Sequence, residues 1–192
     1  MTIEHWFSTP IFAHDLTGDN LEDVQNEIST CIEQARHVSL TTKTQWGDSV
    51  ATTFDGKNDI NIYKLELLTD FLFSAVDEYI KNIQYNGPEF ELAESWFNFY
   101  SKDGFQYDHT HPGYRVSGIY YYSTNGEDGS VRFQNPNACI HGHLFPADGS
   151  SAESVSYSPK VGRLLLFPSW LVHRVNKNTT DHERISIAMN FK

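Results

Sequence analysis

The chain has 192 residues, 39% of them hydrophobic and 14% aromatic, and 25 acidic against 14 basic residues give it a formal charge of −11. That length suits one buried core and is short for two, so a single domain over residues 1–192 is expected, with any active site inside it. The acidic balance would repel a phosphate backbone and argues against nucleic acid as a partner, and no apolar run approaches the length of a membrane span.

Met1 to Thr9 carries neither the basic region nor the apolar core of a secretory signal, so a cytoplasmic location is expected. Apolar residues Leu21, Val24, Ile28, Ile32 and Ala35 then recur at helical spacing, which predicts an amphipathic helix from Asp19 to Val38 with Asp19 or Asn20 as its cap. The stretch from Ser39 to Ile60 is rich in Thr, Gly and Asp and reads as a long loop with short extended pieces. A second helix follows from the period of Leu65, Leu68, Phe71, Leu72, Ala75, Val76, Tyr79, Ile80 and Ile83, stopped by Gly87-Pro88. Cys31 and Cys139 show no metal-ligand spacing and are expected to be reduced thiols.

Beyond Pro88 the period becomes alternating. Strands are predicted over Phe90–Ser101, Arg115–Ser123, Ser130–Gln134, Gly162–Phe167 and Arg184–Phe191, with a weaker one before a loop at His173. Asn135 to Ser158 reads as a long loop. The fold class is therefore mainly β with flanking helices (α+β): a jelly roll over about 89–192, in which two sheets leave a pocket at one end, supported by two helices within about 1–88.

Among nine histidines, two pairs stand out. In Asp108-His109-Thr110-His111-Pro112, extended chain would put both imidazoles on one face, within reach of one ion. The pair His141 and His143 has the same spacing but lies in the long loop, where no rigid strand would hold two ligands, so it is expected to be dispensable for metal. His173 follows the apolar run Gly162-Arg-Leu-Leu-Leu-Phe-Pro-Ser-Trp170, at a strand end where a jelly-roll pocket opens. In the last strand Arg184, Ser186 and Ala188 share one face, and Ile185, Ile187 and Met189 the other. A guanidinium and a hydroxyl aimed the same way suit a carboxylate, although an ordinary edge ion pair would explain Arg184 taken alone.

The ordered motifs Trp96-Phe-Asn-Phe-Tyr100, His109-Thr-His111-Pro-Gly, Ser117-Gly-Ile-Tyr-Tyr-Tyr122, Gly162 to His173 and Glu183-Arg-Ile-Ser-Ile187 resemble the iron(II)/2-oxoglutarate oxygenases of marine bacteria and cyanophages. These are relatives of the prolyl hydroxylases, and their fold is the double-stranded β-helix. The resemblance covers roughly Glu89 to Lys192 and extends to the N-terminal strand and helices. It implies that His109 and His173 ligate Fe(II), that Arg184 and Ser186 grip the distal carboxylate of 2-oxoglutarate with help from Tyr121, and that Tyr100 and Asn98 lie near the keto-acid end. For Asn98, an amide that merely closes a backbone contact is the competing reading.

The wider superfamily carries a carboxylate two residues after the first histidine, where this chain has His111. Asp108 should point to the opposite face and is a poor substitute. The narrower family carries His at this place, so the resemblance implies a three-histidine site. It also implies O2 as co-substrate, succinate and carbon dioxide as co-products, hydroxylation of a small-molecule or peptidyl substrate, and, for a phage-encoded chain, the host cytoplasm. Trp46, Trp170 and Tyr114 are candidates for the pocket mouth, with plain core or surface aromatics as the competing reading. Two other classes remain open: a three-histidine zinc hydrolase or isomerase, against which Arg184 argues, and a jelly roll that binds without reacting.

Overall fold

The computed structural model describes residues 8–41, 49–54, 64–137 and 153–192. In chain order the elements are β1 (Phe12–Asp15), α1 (Gly18–Val38), β2 (Leu40–Thr41), β3 (Val50–Thr52), α2 (Glu66–Asn82), β4 (Leu92–Tyr100), β5 (Gln106–His109), β6 (Val116–Ser123), β7 (Val131–Gln134), β8 (Ser154–Tyr157), β9 (Arg163–Pro168), β10 (His173–Val175) and β11 (Arg184–Phe191). A seven-stranded sheet runs β1-β9-β6-β11-β4-β3-β2 and a four-stranded sheet runs β5-β10-β7-β8. Every pairing is antiparallel. The jelly roll expected from the alternating second half is the fold observed.

The alternation of β11 divides the large sheet's two faces. Ile185, Ile187, Met189 and Phe191 pack with Phe97, Phe99, Leu164 and Leu166 against the apolar stripes of both helices, including Ile28, Ile32, Leu68, Leu72 and Val76. The helices thus cover the outer face, as expected. The inner face contributes to a second cluster of Tyr121, Leu165, Phe167 and Leu171 with Val131 and Phe133 of the small sheet. Because both faces of β11 are covered, all eight of its residues are buried, Arg184 and Ser186 included.

Several sequence expectations need correction. The cap of α1 is Thr17, which makes no side-chain cap hydrogen bond, and not Asp19 or Asn20. Glu27 of α1 caps the other helix: its two carboxylate oxygens accept from the Leu67 and Leu68 N–H groups, at 2.9 and 3.0 Å, at the open end of α2. Ser154–Tyr157, read as part of a loop, is an edge strand on β7. Its serines and half-exposed valine give it no buried stripe, so its pairing comes from the neighbour and not from its own pattern. His173 opens β10 instead of following a strand into a loop. Trp46, Cys139, His141 and His143 lie outside the described residues.

The N-terminal strand is pinned by charge. Arg163 Nε and Nη2 donate to the Asp15 carboxylate at 2.7 and 2.9 Å, and Lys160 Nζ donates at 2.7 Å. The Arg163 hydrogen bonds chiefly, joined by Lys160 and opposed by partial burial, lower the Asp15 carboxyl from 3.8 to about 2. A depressed carboxyl stabilises the fold above its unfolded value and loses that contribution as pH falls through the folded one. Asp15→Asn should therefore melt below the wild type at pH 6, with the difference closing as pH drops from about 4 to about 2, read from melting temperatures. Leu68 is fully buried between helices and sheet, and Leu68→Ala should cost about 2–5 kcal/mol in urea unfolding.

Candidate metal and co-substrate site

The two sheets enclose a cavity with roughly 470 Å³ of empty space, part of it open to solvent. Its walls include all eight residues expected to hold metal or co-substrate: His109, His111, His173, Arg184, Ser186, Tyr121, Tyr100 and Asn98. Cross-strand register explains the gathering. On the large sheet Arg184 lies opposite Tyr100, and Ser186 lies opposite both Asn98 and Tyr121. On the small sheet His109 lies opposite His173. His111 sits just past the end of β5, where its N–H donates to the Ser169 carbonyl at 2.8 Å. Asp108 points away from the cavity, as expected, accepting from Gln134 at 3.0 Å on the small sheet.

Among the described residues, the three histidines form a group whose candidate ligand atoms all lie within 4.8 Å of one another. Burial drives all three imidazoles toward the neutral form. It lowers His109, pushes His111 to about 4 with help from the charge of His109, and lowers His173 well below the usual value. Neutral imidazole is the form that ligates metal. A carbonyl can only accept, so the contacts of His109 Nδ1 to the Tyr107 carbonyl (2.7 Å) and His173 Nδ1 to the Leu171 carbonyl (2.9 Å) fix a proton on each Nδ1. Each Nε2 is then a lone pair, held in place by the backbone behind it. Phe167 and Phe133 pack on His173, with ring centroids at 4.7 and 5.8 Å. The donor set fits a transition metal with positions left for other ligands.

At the other end of the cavity stands a buried cation. Arg184 is 1% exposed, and its Nη1 donates to the backbone carbonyls of Asp128, at 2.5 Å, and Gly129. Its plane lies 4.2 Å over the Tyr100 ring. Nη2 is buried with no hydrogen-bond partner. Among the described residues no carboxylate pairs with this guanidinium. Burying a charge without a counter-charge is costly, so the site suits an anion that arrives with the ligand. Burial raises the Tyr100 and Tyr121 hydroxyls to about 12 against the opposing pull of Arg184, so both stay protonated and can donate to such an anion. Asn98 lines the cavity, and its Oδ1 accepts from the Thr52 hydroxyl at 2.8 Å, a side-chain partner and not the backbone turn of the competing reading.

Sequence reading missed part of this wall. Trp96, Gln106 and Phe167 line the cavity, whereas Trp170 is 57% exposed and neither it nor Tyr114 lines it. Trp96 was within reach, because the two-residue period that exposes Asn98 and Tyr100 to the cavity continues back to it. The Tyr114 ring instead carries Lys192 Nζ at 5.5 Å.

Residues 94–190, just over half of the chain, match the family model 2OG-FeII_Oxy_5, "Putative 2OG-Fe(II) oxygenase". The chain belongs to this family. A Pseudomonas putida prolyl-4-hydroxylase shares the fold at a TM-score of 0.63 and 18% identity, over 96% of this chain and 93% of that one. SnoN, an α-ketoglutarate-dependent epimerase of nogalamycin biosynthesis, superposes at 0.66 with 13% identity, over 96% and 78% of the two chains. A viral collagen prolyl hydroxylase from Paramecium Bursaria Chlorella virus-1, solved with 2OG, gives 0.59 and 13% over 94% of each. No curated protein matches by sequence.

Gly129 is a specific weak point of the anion end. Its φ is +101°, and a Cβ there would come 2.3 Å from the Asn176 carbonyl oxygen and 2.7 Å from Arg184 Nη1. Gly129→Ala should displace the guanidinium and weaken 2-oxoglutarate binding more than tenfold, which is about the worth of one charge-assisted contact, with metal content unchanged in the same preparation.

Proposed function

We propose that this member of the 2OG-Fe(II) oxygenases is a dioxygenase in which His109, His111 and His173 hold Fe(II) and Arg184 anchors 2-oxoglutarate. Arg184 is assisted by Ser186 and Tyr121, with Tyr100 and Asn98 alongside. One observation supports this reading above the others: the buried Nη2 of Arg184, without a partner, across the cavity from three neutral imidazoles. A zinc hydrolase has no use for a buried guanidinium opposite its metal. Fe(II) bound with 2-oxoglutarate and O2 supplies an oxidant able to attack an unactivated C–H bond, with succinate and carbon dioxide as co-products.

The chain's own residues contribute placement and exclusion. Two backbone carbonyls fix His109 and His173 as Nε2 donors, and the neutral three-histidine set carries one negative charge fewer than the usual triad, which favours a dianionic co-substrate. Arg184, Ser186 and the protonated Tyr121 take the far carboxylate, while Phe167, Trp96 and Val175 line the cavity with apolar surface. The substrate is a small molecule or a peptidyl residue, and the acidic surface argues against nucleic acid. No helix among the described residues is long and apolar enough to cross a membrane.

Arg184→Ala should retain iron and lose 2-oxoglutarate affinity more than tenfold in calorimetric titration, since a contact to a charged group is worth about 1.5–3 kcal/mol. Unchanged affinity would remove Arg184 from the site and revive the zinc reading. His111→Ala should sharply lower bound iron while His111→Asp recovers part of it, read as iron stoichiometry of proteins purified alike. Full occupancy in His111→Ala would refute the three-histidine site.

A further inference from the structure

The guanidinium of Arg184 is held by backbone and an aromatic ring, not by a counter-ion, so its placement depends on a turn. It packs 4.2 Å over the Tyr100 ring, and its Nη1 donates to the carbonyls of Asp128 and Gly129, in the connection between β6 and β7. A backbone carbonyl points only where the surrounding chain points it. Whatever shapes residues 124–129 therefore shapes the anchor.

That turn is built around the side chain of Asp128, which is fully buried. Its Oδ1 accepts from the Thr124 hydroxyl at 2.6 Å, and its Oδ2 accepts from the Asn125 N–H at 2.9 Å. Neither donor is charged, and His182 Nε2 comes no nearer to Oδ2 than 3.7 Å. Asp128 thus gives its carbonyl to Arg184 and its carboxylate to the turn itself, and the charge of Arg184 stays available to a ligand. A second turn braces the first. Asn125 Nδ2 donates to Thr180 Oγ1 at 3.2 Å, and the Thr180 hydroxyl donates to Asn178 Oδ1 at 2.9 Å. Asn178, also fully buried, donates from Nδ2 to the Tyr100 carbonyl at 3.0 Å. The carbonyls that hold Nη1 are in this way tied to the end of β4, whose ring packs on the same guanidinium.

We propose that Asp128 is a positioning residue for the distal carboxylate of the co-substrate, acting through Arg184. Its carboxylate fixes the turn, the turn aligns two carbonyls on Nη1, and Nη2 is left for the incoming anion. Without that carboxylate the Thr124 and Asn125 donors lose their acceptor, the carbonyls are no longer held together, and the guanidinium is present but loosely placed. A binding group whose supporting shell is loose loses affinity even though the group itself remains. This rests on the reading of Arg184 as the 2-oxoglutarate anchor. It makes preference for a 2-oxo acid with a second carboxylate a property of the turn as well as of the arginine.

The test uses the full-length, Fe(II)-loaded protein without oxygen, titrated calorimetrically with 2-oxoglutarate and with 2-oxopentanoate, which has the same chain length but ends in a methyl group. The wild type should prefer 2-oxoglutarate. Asp128→Ala should weaken 2-oxoglutarate more than about tenfold, and Thr124→Val, which keeps the carboxylate but removes one of its donors, about threefold. Asp128→Asn retains an acceptor and should lose less than Asp128→Ala. In every variant 2-oxopentanoate affinity and iron content should stay at the wild-type level, and in an Arg184→Ala background Asp128→Ala should cost nothing further. Should Asp128→Ala fail to fold, Thr124→Val and Asp128→Asn carry the same comparison. Equal losses for both acids, or a loss that persists without Arg184, would mark Asp128 as merely structural and overturn the proposal while leaving the anchor in place. A wild type that does not distinguish the two acids would remove the anchor itself.

Discussion

The last strand, Arg184–Phe191, has to be covered on both faces, and the rest of the architecture follows from how that is done. Its odd-numbered residues are apolar and meet the helices, so the large sheet is a wall with a sealed back. Its even-numbered residues are Arg184, Ser186, Ala188 and Asn190, a row whose three polar members cannot be left inside a hydrocarbon core without partners. The jelly roll supplies a second sheet far enough away to leave a cavity there. Each polar residue of the row then takes a different part: a cation at one end, a hydroxyl and a small side chain in the middle, and an amide against His111 at the other.

Much of this was readable from the order of residues, because it depends on period. The helical stripes of α1 and α2, the alternation of β4 and β11, and the two-residue spacing of His109 and His111 each follow from local geometry, and the motifs in order pointed to the fold and to the cavity walls. What could not be read depends on partners distant in sequence. Ser154–Tyr157 is a strand only because β7 lies beside it. Of the mouth candidates, Trp170 in the turn after β9 is exposed and Tyr114 packs with Lys192, and neither lines the cavity. Gly129 gave no signal beyond being a glycine in a turn, although the guanidinium packs where its side chain would be. Asn190 had a signal, the continued period of β11, but its significance lies in Glu94 and His111, 96 and 79 positions away.

The absence of a ligating carboxylate changes the electrostatics of the site more than its shape. A carboxylate ligand would bring a permanent negative charge into a cavity that already holds a buried guanidinium. With histidine there, Glu94 stands one hydrogen-bonded residue behind it, partly open to solvent, and Asp108 stands beside His109 on the small sheet. In the proposed reading, the lack of a carboxylate ligand leaves the site one unit more positive toward a ligand carrying two carboxylates.

The histidines and the arginine stand on different sheets, the former on and beside β5 and β10, the latter on β11. In the proposed reading, a dicarboxylate held at both ends is a further tie between two layers that meet through apolar contacts, loops and the Tyr100–Gln106 hydrogen bond. Such a tie resists shear and separation of the sandwich, so its occupancy becomes part of the mechanical rigidity of the domain. The molecule consumed in each turnover would then also be the strut that sets the spacing of the walls, and the layers would be free to relax each time it leaves.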